Sequence, residues 1–179
     1  MGLVIGLIVV VVIVAMWYVG TMNGLRAAEL KVDEADSGID VALTKRYDVL
    51  TKQLEVVKGY ASHESKTLFE TIKIRKGMSM DEKKEAATKM NEVASQFQVV
   101  AEAYPELKAS SNFMALQNSI TDVEEHLQAA RRLYNANVTA FNTKIIMFPA
   151  SIVANNLGLT KRDLFEAEDY KRQDVEMKF

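Results

Sequence analysis

The chain has 179 residues, with eight glycines, two prolines, no cysteine and a formal charge of −2 at pH 7. That length gives one domain with room for an appendage, and turn residues this sparse favour long helices over a sheet. Without cysteine there is no disulfide framework, thiolate metal site, cysteine nucleophile or cysteine-borne lipid, and the slight acidity offers no basic face to nucleic acid.

The chain opens MGLVIGLIVVVVIVAMWYVG. Gly2 to Val19 carries no charged side chain, and at about 1.5 Å per residue it reaches ~27 Å, close to the ~30 Å hydrocarbon core of a bilayer. Gly2, Val9 and Ile13 lie along this run, and Trp17 and Tyr18 close it, where aromatic rings favour the lipid–water boundary. A cleaved signal peptide needs a basic start and a small-x-small cleavage site. No Lys or Arg precedes the run, and Ala15-Met16-Trp17 does not fit such a site. Residues 1–20 therefore read as a retained transmembrane anchor, with the lipid bilayer as partner. Arg26 and Lys31 both follow the run. The positive-inside rule then gives a single-pass protein of the cell (inner) membrane, N-terminus outside and body in the cytoplasm. Glu29, Asp33, Glu34 and Asp36 stand among those two cations and dilute the signal.

From Thr21 the pattern becomes amphipathic. Ile39, Leu43, Tyr47, Leu50, Leu54, Val57, Ala61 and Leu68 recur three, four or seven apart, on one helical stripe. No proline interrupts Thr21 to Ile74, so the anchor is expected to continue into this helix until Gly77. Ser79-Met80-Asp81-Glu82 has the form of a capping box and opens a second helix, with Ala86, Met90, Val93, Phe97, Val100 and Tyr104 inward and Pro105 at its end. A third helix begins after Ser110 and Ser111. Its inner face reads Phe113, Leu116, Ile120, Val123, Leu127, Ala130, Tyr134, Val138, Phe141, Ile145 and Phe148, and Pro149 closes it. ASIVANNLG leads to Gly158, and Thr160 is placed to cap a last charged amphipathic segment.

These elements predict an all-α protein in three parts. An anchor spans 1–20, an elongated antiparallel helical bundle spans 21–158, and a charged amphipathic tail spans 159–179, with shallow, coiled-coil-like packing. A helix from Met80 to Tyr104 rises only ~37 Å, against ~80 Å for Thr21 to Ile74. Returning from the turn at Gly77, it covers the first helix back to roughly residue 50. Leu25, Leu30, Val32 and Ile39 are then left without an obvious partner in the chain. Either the tail folds back over them or this stalk self-associates into a homo-oligomer.

Chemistry is sparse. His63-Glu64 resembles the start of H-E-x-x-H, but Thr67 stands where the second histidine belongs. His126, in DVEEHLQAAR, reads as a helix-flank residue, and no Glu-x-x-His pair is present for a di-iron centre. There is no G-x-S-x-G elbow, and no glycine-rich phosphate loop follows a strand. No catalytic residue, cofactor or metal is therefore expected. Tyr60, His63, Glu64, Glu102, Tyr104, Asn112, Gln117, Arg131, Tyr134 and Asn135 lie close to packing faces. They suit an inter-helix polar network, with Arg131 paired to Glu102 or Glu64, and the sharper alternative is a ligand or peptide groove.

RYDVLTKQLEVVKGYASHE (46–64), VAEAYPELKASSNFMALQ (100–117) and ARRLYNANVTAFNTKIIMFPASIVA (130–154) resemble the signature blocks of the bacterial LemA family. The opening anchor and SGIDVALTKR are similar too. One departure is LTKQL at 50–54, where many members have a proline, so a kink at that point does not carry over. The resemblance implies a helical bundle behind one N-terminal membrane helix, a cytoplasmic body, and no enzymatic activity to transfer. It marks Tyr60, His63 and Glu64 as family and packing residues. The expected function is a non-enzymatic scaffold that self-associates at the bacterial membrane. The alternative is an adaptor or sensor in envelope stress or proteolysis acting through a protein partner, and the tail (Leu164, Phe165, Tyr170, Val175 and Phe179) suits either docking on the bundle or capture by a partner groove.

Overall fold

The computed structural model describes residues 1–58, 70–75 and 77–166, and among these the only regular secondary structure is helix. Helix α1 runs unbroken from Gly2 to Val57, 56 residues and about 84 Å long. Nothing in its sequence stops it: no proline intervenes, and its glycines sit where a helix tolerates them. Its side chains divide it in two. From Leu3 to Val19 the apolar residues stand exposed, apart from the half-buried Tyr18, and an 18-residue window of this part has none of its residues buried. From Leu25 onward a stripe turns inward at alternating steps of three and four, through Leu25, Ala28, Val32, Ala35, Ile39 and Ala42.

Helix α2 (Met80–Ala103) begins at the expected capping box, with both arms formed. The Glu82 N–H donates to Ser79 Oγ (3.3 Å), and the Ser79 N–H donates to Glu82 Oε2 (2.8 Å). The donated Ser79 N–H holds the Glu82 carboxyl below the usual carboxylate range. Pro105 ends α2 and opens the single turn α3 (Pro105–Lys108), as suits a residue that has no N–H to give. Helix α4 (Ser111–Ile146) has Phe113, Leu127, Tyr134, Val138, Phe141 and Ile145 as its buried face. After the cis Phe148–Pro149 peptide comes the short α5 (Ala150–Asn156). It closes at Gly158 (φ +66°), where the Leu159 N–H reaches Ala154 O at 3.0 Å. Glycine takes this left-handed turn without a Cβ penalty.

Cross-helix bonds fix the directions. Gln53, Arg46 and Lys31 of α1 meet Gln117, Glu124 and Asn137 of α4 in turn, so α4 is antiparallel to α1. The pattern predicts a first helix reaching Ile74, but α1 ends at Val57 and residues 72–75 are not helical, and α2 does not return antiparallel along α1. Lys83 meets Asp36 and Asp40, and Asn91 meets Arg46, so α2 rises parallel to α1. The reason lies before it. Ile72 and Met78 are buried, and Ile72, Lys73, Ile74, Arg75 and Met78 line a cleft with Leu43 and Tyr47. The chain is therefore back at the level of residues 40–47 when Gly77, in the left-handed region at φ +77°, turns it into the cap.

The second correction concerns the stalk. Leu25 and Val32 are each 2% exposed and Ile39 is fully buried, all within one chain, and only Leu30 faces outward. Helix α4 makes the most extensive interface with α1, and α5 adds to it. The 36-residue α4 is long enough, at about 54 Å, to descend the whole stalk. An apolar face expected to be sheltered by the tail or by neighbouring copies is thus covered mainly by α4 and α5. Leu50, Met90, Val93, Phe97, Leu127 and Val138 complete the core at 0% exposure, each contributing about 1.5–3 kcal/mol by burial.

Candidate functional site: a polar seam, a strap and a cleft

Three polar contacts cross the seam between the long helices. Lys83 is 1% exposed, yet its Nζ lies 2.7 Å from Asp36 Oδ1 and 2.8 Å from Asp40 Oδ1. Asp36 and Asp40 are one helical turn apart, so both carboxylates reach the same ammonium. Six residues further along, the buried Arg46 donates from Nη2 to Asn91 Oδ1 at 2.6 Å. The same nitrogen stands 2.8 Å from Glu124 Oε2, close enough for charge pairing though not aligned as a hydrogen bond. Burial pushes the Arg46 pKa down, Glu124 opposes that, and the Arg131 charge adds to it. At the far end Gln53 Nε2 donates to Gln117 Oε1 at 3.3 Å, and Gln117 Nε2 donates to Gln98 Oε1. Each contact joins two or three helices at a fixed height, which sets register.

The second feature is a strap, residues 159–166, drawn along α4. It is not the helix that Thr160 suggested. Asn142 Nδ2 donates to Arg162 O and its Oδ1 accepts the Arg162 N–H, both at 2.9 Å. Asn135 does the same for Phe165, donating to its carbonyl at 3.0 Å and accepting its N–H at 2.8 Å. Three residues of extended chain cover about 10 Å, as do seven residues of helix, so two asparagines seven apart match every third strap residue. Tyr134 Oη donates to Asp163 O at 2.9 Å, and Arg131 lies 4.3 Å above the Phe165 ring while also reaching Glu166 O. Arg162 extends to Asp33 (3.4 Å) and Glu29 (3.8 Å), which ties the strap to α1.

The structure therefore brings together Arg131, Tyr134 and Asn135 on α4, all against the strap. Glu102 is not with them. The parallel course of α2 carries it to the distal end, exposed and more than a dozen residues of helix away from the level of Arg131, so the expected Arg131–Glu102 pair does not form. Tyr60, His63 and Glu64 lie outside the described residues, as do Tyr170, Val175 and Phe179 of the tail. His126 is exposed on α4. Among the described residues no group of three or more His, Asp and Glu is placed to hold a metal ion. Asn142 was missed in the sequence, although its seven-residue spacing from Asn135 was the available signal. Lys83 and Arg46 were missed because a cation on an apolar stripe reads as a break in the pattern.

The third feature is an open cleft of about 690 Å³ between α1 and residues 72–75 and 78. Val41, Leu43, Tyr47, Ile72, Ile74 and Met78 give it an apolar lining, with Lys45, Lys73 and Arg75 also on its wall. Arg75 is paired with Glu82, while Lys45 and Lys73 are exposed. Such a surface suits an apolar segment bearing acidic side chains.

Residues 35–179 match the model of the LemA family. The chain is also similar to the protein LemA of Metamycoplasma hominis, 31% identical over 164 residues, which covers 89% of this chain and 75% of that relative.

Proposed function

Since the chain belongs to the LemA family, we propose that it is a non-enzymatic, membrane-anchored scaffold that self-associates through its lipid-facing segment. The carrying observation is α1 itself, one helix that is apolar and bare over Gly2–Trp17 and becomes the spine of the bundle without a break. From residue 20 to Val57 that spine holds the distal end about 55 Å from the anchor. The interior supports a structural role, since its polar side chains are engaged in joining helices. Arg26 and Lys31, following the apolar run, support an N-out orientation with the rod in the cytoplasm.

Self-association belongs to the anchor because the stalk is covered. Gly2 and Gly6, four apart, have open space around them, and small residues at this spacing let spanning helices approach closely. Sedimentation of the full-length protein in mild detergent tests this: oligomers are expected, and Gly2→Ile with Gly6→Ile reduces them to monomers. Monomers in the unaltered protein, with one co-purifying protein, favour the second reading, an adaptor. The cleft beside Tyr47 and Ile72 supports that reading by offering an apolar floor with lysines at its edge.

A further inference from the structure

The lower corner of the bundle is apolar where it faces outward. Phe148 is 81% exposed, Ile146 and Met147 58% each, and Ile152 51%. They cluster at the turn between α4 and α5, next to Pro149. The stripe on α4 predicted Phe148 as a core residue, but the helix ends at Ile146 and the turn swings the ring out.

The position of this corner is set by the register of α4 against α1. The Gln117–Gln53, Glu124–Arg46 and Asn137–Lys31 contacts run antiparallel to within two residues of one register, and continuing them sets Ile145 at the level of residues 23–25 and Phe148 at that of residues 20–22. Helix α5 packs on α1, and Tyr18 and Met22 are half-buried against the core at this end. The exposed corner therefore stands at the height where the bare apolar helix ends with Trp17 and Tyr18. Lys144, in the last turn of α4, and Arg26 are exposed about one helical turn farther from the anchor. Apolar and aromatic side chains with cations one turn above them are the pattern of a surface that sits in the headgroup layer.

We propose that the Ile146–Ile152 corner is a second membrane contact, an interfacial foot that dips into the bilayer crossed by the anchor. The proposal rests on the anchoring reading above. A helix held only by its own span is free to tilt. A foot beside the exit point fixes the angle of the rod and places its covered stalk just outside the lipid. The occupant is lipid, not a second copy, because the patch is continuous in height with the lipid-facing part of α1.

Trp17 is the single tryptophan, which makes a fluorescence test direct. Full-length protein is placed in vesicles whose lipids carry bromine high on the acyl chains. The unaltered protein reports on the anchor through Trp17. In a Trp17→Phe background, Phe148→Trp reports on the foot, and Leu133→Trp, exposed higher on α4, reports on the rod. Brominated lipid is expected to quench positions 17 and 148 to a similar extent and to leave 133 bright, with 148 blue-shifted relative to 133. Quenching at 17 with none at 148 overturns the foot alone. Protection of 148 from both brominated lipid and aqueous acrylamide also overturns it, since a protein neighbour then covers the corner. No quenching at 17 overturns the anchor as well.

Discussion

Residues 2–19 and residues 25–57 belong to one helix, and they solve opposite problems. The first stretch exposes its aliphatic side chains around the whole circumference, with only Tyr18 at its end half-buried, whereas the second hides one stripe and exposes the rest. Backbone hydrogen bonding is the same in both, so helicity is indifferent to the change in surroundings. The side-chain pattern alone marks the border, between Gly20 and Leu25. Exposure therefore has different meanings in the two stretches: a bare valine at position 10 belongs to a run apolar enough to cross a membrane, and a bare Val41 edges the cleft on the folded rod.

The largest effect that sharpens this contrast is expected from Phe141, 1% exposed against the stalk. Phe141→Ala should destabilise the bundle by about 3–5 kcal/mol, seen as a fall in the thermal midpoint of helical circular dichroism, while flotation with vesicles is retained. Val10→Arg should do the reverse. A charge at the middle of a span costs roughly 2.5–3.5 kcal/mol of insertion, so the membrane-bound fraction falls and the melting of the bundle stays as it was. The same change at Val41 should alter neither, within about 0.5 kcal/mol. If Val10→Arg lowered the bundle midpoint as much as Phe141→Ala, the two stretches would not be separate.

Part of this division is legible in the sequence. The capping box at Ser79, the stop at Pro105 and the inward face of α4 from Phe113 to Ile145 follow from local pattern, because each is set by neighbours within two turns. The direction of α2 is not. Periodicity says which face a helix buries and nothing about which way it runs, and the retreat of the chain to the level of Asp40 depends on Ile72 and Met78 finding Leu43 and Tyr47. The covering of Leu25, Val32 and Ile39 is half legible: the tail does fold back, with Arg162 on Glu29 and Asp33, but the main cover is α4, whose antiparallel register no local period reveals. The strap was illegible for a different reason. An extended chain bound by asparagine side chains has no hydrophobic period of its own.

Smaller effects test that strap. Asn135→Ala removes a donor and an acceptor from Phe165 and should cost about 2 kcal/mol, read as faster amide exchange at Arg162 and Phe165. The anchor should not respond. The smallest expected effect is pH-dependent. Burial raises the Tyr134 pKa above its ordinary value of 10.0, helped by Asp36, with Arg162 opposing. A group whose folded pKa is raised stabilises fully below its unfolded value and loses that contribution as pH climbs through the folded one. Strap stability should therefore fall above about pH 10, when the phenol can no longer donate to Asp163 O. Tyr134→Phe should be weaker by about 1 kcal/mol at neutral pH and should lack that alkaline step, which a pH series of melts with and without the substitution reveals.

The decisive observation is hydrogen exchange across residues 25–39 of the full-length protein, in lipid nanodiscs loaded with one copy each. Coverage of α1 by α4 and the strap of the same chain predicts slow exchange there, equal to that of residues 40–57 and unchanged when discs hold several copies. Fast exchange in single-copy discs, slowed only when copies share a disc, would show that neighbours shelter the stalk and would contradict the account.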